Sequence, residues 1–392
     1  MYSVTRAIVL SAVAVFRTLK HLTPIVVTVI VGLVDICSAL GATRIPQWMT
    51  TDLKQVGIST DSVAVYVKDA SSGVVIANHN ATTPFKPASI TKVLTTFAAL
   101  DILGEQYRWH TPVYVTAPAQ KGELRGDLIF RDVGDPSLSH AKLSEFSATL
   151  FQRGIKVIRG DVILDRSYFA STSLSADGYF AASFKRSFEQ LGGKIEGQIR
   201  EGTTAARSKL FGSIESDALI DIIRETNKAS NNLMAHQIFL TIGSELTGEP
   251  PSPARAAIAV RKWIADRVPD TAPFVLETGS GLSHNERVTA KGMVSLLDYI
   301  RKSQHAAAFL QTMPAVGEDG TMRNRLKGND VAGKSVAKTG TLRDTAAIAG
   351  LVLTKSGRTF IFCMIVNSSN ISGGRKVIDR LIAWLHSPDV DA

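Results

Sequence analysis

Strand-forming stretches stand near both ends of this chain, with helical patterns between them, and that arrangement narrows the folds open to it. Early on, Ser62–Asp69 alternates apolar and polar residues, Ala70-Ser71-Ser72-Gly73 reads as a turn, and Val74–Ala77 reads as the return strand. Late in the chain come Ser335–Lys338, Ala346–Leu353 and Thr359–Val366, then a closing helical run over 374–386. Such distant segments satisfy their backbone hydrogen bonds most simply in one α+β sheet, completed by the N- and C-terminal strands. Helical patterns fill 139–153, 216–246 (interrupted at Asn227–Asn232), 254–267 and 289–302. Short strands are expected at 111–116, 127–131 and 157–164, whereas Asp165–Glu189 shows no clear period. No internal repeat is present.

Composition sets the outer bounds. With 392 residues, 45% hydrophobic and 20% charged, the chain can bury a large core, which excludes disordered and collagen-like classes. The net charge of +9 is spread along the chain and favours polyanionic surroundings, a membrane surface or a cell-wall polymer. Zinc-finger spacing, RNA-binding aromatic motifs and arginine-rich arms are lacking, which argues against nucleic acid. The eight histidines show no metal-ligand spacing, so neither a metal nor any other cofactor is expected.

The first 42 residues read as a secretory signal. Arg6, Arg17 and Lys20 precede the apolar run Ile25–Val34, and small residues follow at Ser38–Ala42. Asp35 closes an apolar stretch that is short for a membrane span. Cleavage within 39–42 removes Cys37 and leaves Cys363, in a strand-like run, as an inert core residue. The expectation is an exported, periplasmic protein.

Chemistry gathers around Pro87-Ala88-Ser89-Ile90-Thr91-Lys92, which opens an apolar run with helical spacing. On a helix, residues three apart share a face, so Lys92 Nζ can reach Ser89 Oγ and serve as a built-in base. The same serine could simply cap the helix. Ser-x-x-Lys recurs at Ser139–Lys142 and Ser335–Lys338, and Ser-x-Asn occurs at Ser230, Ser283 and Ser368. Ser335–Lys338 lies on a strand, where residues three apart face opposite ways, and Ser139–Lys142 opens an ordinary amphipathic helix. Lys338-Thr339-Gly340 occurs once, at the end of a strand. Ser89–Lys92, Ser230-Asn231-Asn232 and Lys338-Thr339-Gly340 in that order match the motif set of penicillin-recognising serine enzymes.

The chain resembles the D-alanyl-D-alanine carboxypeptidase/endopeptidase family, the class C (type-4) low-molecular-mass penicillin-binding proteins. Matching stretches include Lys86–Lys92, Leu124–Leu128, Gly134–Leu138, Ile158–Asp165, Ser230–Leu233, Gly279–Ser283, Met313–Gly320 and Ala337–Thr341. The resemblance implies an α/β, β-lactamase-like serine DD-peptidase fold: an antiparallel sheet plus a helical subdomain, with a reduced insertion domain. The expected division is a discontinuous catalytic domain, 43–105 and 205–392, interrupted by the insertion at 106–204.

It further implies that Ser89 forms an acyl-enzyme with a D-Ala-D-Ala or cross-link peptide. Lys92 would act as base, deprotonated by burial and neighbouring positive charge, with Ser230 relaying the proton and Lys338 setting the field. Asn232, Thr339, Gly340 and Thr341 would bind the substrate, and the backbone N–H groups of Ser89 and Thr341 would form the oxyanion hole. Partners would be peptidoglycan stem peptides, with β-lactams as covalent inhibitors, and no cofactor is implied. Two features depart from the family. The middle motif reads Ser-Asn-Asn rather than Ser-Asp-Asn, and the segment bearing a tryptophan- and acid-lined wall is missing, Asp177 being the only acid between Ala170 and Glu189. Arg343 is a candidate extra contact, while His236 and Ser280 carry no expected role. The competing readings are a serine β-lactamase or esterase on the same fold, and a weakly catalytic wall-binding sensor.

Overall fold

The apolar run Thr359–Val366 is buried on both faces at the centre of a five-stranded antiparallel sheet. The computed structural model describes residues 45–170, 174, 178–269 and 274–390. The expected signal segment with Cys37, and Asp177, lie outside these residues. In chain order the structure begins with α1 (Gln47–Gln55), β1 (Val63–Asp69), β2 (Val75–His79) and α2 (Thr91–Leu103). Next come β3 (His110–Val115), β4 (Ala119–Gln120), β5 (Glu123–Leu124), β6 (Leu128–Arg131), α3 (His140–Gln152), β7 (Val157–Ile158) and β8 (Val162–Asp165). They are followed by α4 (Tyr179–Gln190), β9 (Lys194–Ile195), β10 (Ile199–Gly202) and β11 (Lys209–Glu215). Then come α5 (Leu219–Ala229), α6 (Asn232–Thr247), α7 (Pro253–Arg267), α8 (Ala290–Lys302) and α9 (Ala306–Thr312). The chain closes with β12 (Ser335–Leu342), β13 (Thr345–Leu353), β14 (Thr359–Val366) and α10 (Ile371–His386).

The main sheet has the order β12-β13-β14-β1-β2, so the first and last strands pair as expected. Strand alternation sends two sets of side chains to two cores. Phe360, Phe362 and Met364 join Val63, Val65 and Val67 against Met49 and Leu53 of α1 and Val377 and Leu381 of α10. The two helices also meet through Trp48 and Trp384, 5.8 Å apart. On the opposite face Ile361, Cys363 and Ile365 pack into the helical core. Burial pushes the Cys363 thiol up, consistent with an inert core residue.

Helix α2 sits inside that core, with every residue from Thr91 to Leu100 buried. A helix apolar all round belongs in the interior. Phe97 anchors it edge-on to Trp263, Tyr299 and Phe309, at 5.9, 6.0 and 5.0 Å.

A second five-stranded sheet, β10-β8-β6-β3-β11, has its own core with α3 and α4. The expected strand over 157–164 is two strands in different sheets, β7 pairing with β5 and β9, and β8 with β6 and β10. The chain changes sheets at Gly160, where a Cβ would fall 2.5 Å from Asp127 Oδ1 and 2.6 Å from the Gly126 backbone. The stretch without clear period contains α4, whose Phe180, Phe184 and Phe188 stack along one face at 6.3 and 5.9 Å. Phe184 also meets Phe130 at 5.0 Å and is fully buried. Replacing Phe184 with Ala is expected to lower stability by about 3–5 kcal/mol, the usual cost of emptying a buried phenylalanine site. Urea unfolding followed by far-UV circular dichroism measures this, and a loss under about 1 kcal/mol would contradict the packing described.

Candidate active site

Ser89 lies in a single 3-10 turn, Ala88–Ile90, that feeds directly into α2. Neither the turn nor the helix is capped by a side chain, so Ser89 is not a cap. The other two Ser-x-x-Lys serines have ordinary jobs. Ser139 caps α3 by accepting from Lys142 N at 3.4 Å, and Ser335 Oγ donates to Leu351 O at 2.8 Å. Ala88, just before the nucleophile candidate, has φ +49°, a conformation that costs a residue with a Cβ about 1–2 kcal/mol.

Lys92 projects from the first turn of α2 and is wholly buried. Its Nζ is 2.9 Å from Ser89 Oγ, 2.6 Å from Asn232 Oδ1 and 2.6 Å from the Ser280 carbonyl oxygen. Burial pulls the amine from its ordinary 10.5 to about 7, and the charge of Glu286 opposes that shift. Of the two causes expected at Lys92, burial is the dominant one. Lys338, also wholly buried, is held well below its ordinary value by burial first and by the Lys92 charge second. Repulsion within such a pair is mutual, so protonating one lysine opposes protonating the other.

The second motif bends between two helices. Ser230 ends α5 in the left-handed region, with φ +56°, and its Oγ accepts from Lys338 Nζ at 2.9 Å. Asn231 caps α6, accepting from Leu233 N and Met234 N at 3.0 and 3.1 Å. That capping role explains why Asn can stand where Asp is usual, since the two are nearly equivalent caps. The other Ser-x-Asn sites lie elsewhere, Asn285 on Glu277 and Asn370 capping α10. His236 Nδ1 is 2.9 Å from the Thr278 carbonyl, which engages it outside any dyad with Ser230.

The third motif runs along β12, the edge strand of the main sheet. Ala337 N donates off that edge to Pro314 O at 2.9 Å. Backbone groups on a strand alternate direction, so the N–H groups of Thr339 and Thr341 point off the same edge. A Cβ on Gly340 would lie 2.8 Å from Pro87 O and 3.1 Å from Ser89 N, so only glycine lets the edge pass this close to Ser89. Thr339 Oγ1 donates to Thr321 Oγ1 at 2.7 Å, and Thr341 Oγ1 accepts from Arg375 on α10 at 3.0 Å. Arg343 is exposed at the β12–β13 turn, and it is Arg375 that touches Thr341.

The structure thus gathers two hydrogen-bonded groups, Ser89–Lys92–Asn232 and Ser230–Lys338, with the two lysines close enough for their charges to interact, beside Thr339–Thr341. Sequence reasoning missed the Ser280 carbonyl, Glu286, Thr321 and Arg375. The glycine pair around Ser280 was the available signal: both have positive φ, and a Cβ on Gly281 would lie 1.9 Å from Ala88 O. A surface cavity of about 640 Å³, lined by Ile102, Leu246, Ile258 and Trp263, shares no residue with this cluster.

An antiparallel sheet with a buried helix carrying Ser-x-x-Lys, and a second serine–lysine pair bridging to the edge strand, defines a penicillin-recognising serine hydrolase. The chain belongs to the D-Ala-D-Ala carboxypeptidase 3 (S13) family, which it matches over residues 48–178 and 172–387, and it is a serine DD-peptidase. The D-alanyl-D-alanine carboxypeptidase DacB of Haemophilus influenzae is 24% identical over 419 residues, covering 81% of this chain and 88% of that protein. The carboxypeptidase DacB of Mycolicibacterium smegmatis is 29% identical over 375 residues, covering 82% and 79%. The crystal structure of penicillin binding protein 4 from H. influenzae shares the fold, with a TM-score of 0.73 at 23% identity over 85% of this chain and 99% of that one. A predatory endopeptidase from Bdellovibrio bacteriovorus shares it with a TM-score of 0.61 at 20% identity, over 83% and 92%.

Because Gly281 abuts the Ala88 carbonyl, Gly281→Ala is expected to displace the Ser89 turn. Acylation by a fluorescent penicillin should slow at least tenfold, and an unchanged rate would mean that this close approach does not matter to the site.

Proposed function

We propose that Ser89 is the nucleophile and Lys92 its base in hydrolysis of the terminal D-Ala-D-Ala bond of peptidoglycan stem peptides. The observation that carries this reading is the set of partners around Lys92. A neutral amine has two N–H bonds and one lone pair. Asn232 Oδ1 and Ser280 O, each at 2.6 Å, take the two hydrogens, which turns the lone pair toward Ser89 Oγ at 2.9 Å.

Ser89 Oγ adds to the peptide carbonyl while Lys92 takes its proton. The oxyanion develops against the backbone N–H groups of Ser89 and Thr341, each such donor being worth about 3–4 kcal/mol in the transition state. Ser230, held by Lys338, relays the proton taken up by Lys92 to the departing amine, and the peptide C–N bond breaks to leave an acyl ester on Ser89. Water then hydrolyses the ester. Asn232 has its Nδ2 left for the substrate backbone, and Thr339, Gly340 and Thr341 receive the terminal carboxylate, with the Arg375 cation beside Thr341. β-Lactams follow the same path to a covalent adduct. The same acyl group serves a cross-link whose leaving amine belongs to diaminopimelate, which makes endopeptidase action part of the proposal.

We read 43–105 and 205–392 as the catalytic domain and 106–204 as its insertion, and we place the enzyme outside the cytoplasm, in the periplasm. The export signal expected at 1–42 and the D-alanyl-D-alanine carboxypeptidase name of a relative support that placement, and the net positive charge supports an association with the anionic wall or membrane surface. Among the described residues no helix is long and apolar enough to cross a membrane.

Labelling with a fluorescent penicillin is expected to give one stable adduct in the wild type and none in Ser89→Ala. Rapid turnover of the drug would instead favour a β-lactamase. Digestion of purified muropeptides should release terminal D-Ala, and release of neither D-Ala nor cross-links would overturn the peptidase reading. Since Lys92 must be neutral to act and titrates at about 7, acylation should rise with pH through that value and level off above it. A rate independent of pH between 5 and 9 would remove Lys92 from the role of base.

A further inference from the structure

Glu286 is fully buried, yet none of the recognised motifs includes it. Its Oε1 accepts four hydrogen bonds, from Glu277 N (3.1 Å), Thr278 N (2.8 Å), Gly279 N (3.0 Å) and Thr278 Oγ1 (3.1 Å). Its Oε2 is buried with no hydrogen-bond partner among the described residues. An ordinary turn needs no such residue, because burying a carboxylate with an unmatched oxygen is costly unless something nearby compensates.

The clamped loop leads straight to the general base. Gly279 O accepts from Thr95 Oγ1 at 2.6 Å, which fixes the loop to α2. One residue later, Ser280 O accepts from Lys92 Nζ at 2.6 Å. Thr278 Oγ1 lies 2.9 Å from Ser280 Oγ and steadies the same turn. Gly281 then passes against the Ala88 carbonyl, just before Ser89. The carboxylate therefore governs where the acceptor for Lys92 sits.

We propose that Glu286 is the positioning residue of the general base: Oε1 clamps the Thr278–Gly281 loop that presents the Ser280 carbonyl to Lys92, and the unpartnered negative charge acts on the Lys92 amine through space. This rests on the reading of Lys92 as base. The charge opposes the downward pull of burial on Lys92, so the base remains able to cycle through its protonated state instead of being locked neutral. Other charged or titratable groups face this region. Lys338 approaches Lys92 from β12, His236 on α6 reaches the Thr278 carbonyl, and Glu277 and Arg287 flank the loop.

Replacing the carboxylate by an amide separates clamp from charge, since Gln retains an Oε1 that can accept the same four bonds. In Glu286→Gln the acid limb of penicillin acylation should move to lower pH by about one unit, the size expected when one charge is removed from a partly desolvated pair. The plateau rate should stay within about threefold. Glu286→Asp retains the charge but shortens the clamp, so its acid limb should stay in place while its plateau falls at least fivefold. An unmoved acid limb in Glu286→Gln overturns the proposal. If Glu286→Gln does not fold, as judged by circular dichroism, the limb of Glu286→Asp decides: retained, it supports the charge role, and shifted down, it overturns it. A wild type without a Ser89-dependent acid limb would instead overturn the base assignment itself, which distinguishes the two failures.

Discussion

Burying an amine is unfavourable, and this fold does it twice within one cluster. Lys92 and Lys338 are both wholly enclosed, and the rest of the site follows from how that is tolerated. Lys92 meets two carbonyl-type oxygens and a serine, whereas Lys338 meets Ser230 Oγ and its neighbour's carbonyl, Thr339 O, at 3.0 Å. Each lysine is thus given acceptors without a direct carboxylate, which would pin it in the charged state. What burial removes is the proton, and what remains is a base. The surrounding helices, above all α2 with its aromatic packing, exclude water well enough for this to hold.

Much of the frame was legible because its elements carry strong periodic signals. The strands Val63–Asp69, Thr345–Leu353 and Thr359–Val366 read correctly, since apolar runs bounded by turns have few alternatives at those lengths. Helix α4 escaped notice although Phe180, Phe184 and Phe188 recur at helical spacing, because small residues around them blur the polar face. The strand break at Gly160 was illegible for a different reason. The break falls where Gly126 and Asp127 cross the chain, a close approach that only tertiary structure brings about.

The site divides the same way. Ser89, Lys92, Ser230, Asn232 and Lys338 were legible as side-chain types in a recognisable order. The Ser280 carbonyl was not, because any residue can supply a carbonyl and its identity leaves no trace. Glu286 lies six residues further on and bonds backbone amides, a role that composition does not reveal. Arg375 comes from α10, a helix whose other face simply packs on the sheet, so only geometry connects it to Thr341.

The route by which Lys92 acquires its surroundings also bears on when the chain becomes reactive. Lys92 and Ser89 lie early in the chain, but Asn232, Ser280 and Lys338 all lie far downstream. In an extended chain Lys92 is solvated and charged, with its ordinary value of 10.5, and cannot take a proton from a serine. The nucleophile and base therefore travel together but inert until the C-terminal strands, β12 among them, join the sheet. Reactivity is a product of completed folding, and a partly folded chain would have no peptidase chemistry to misdirect.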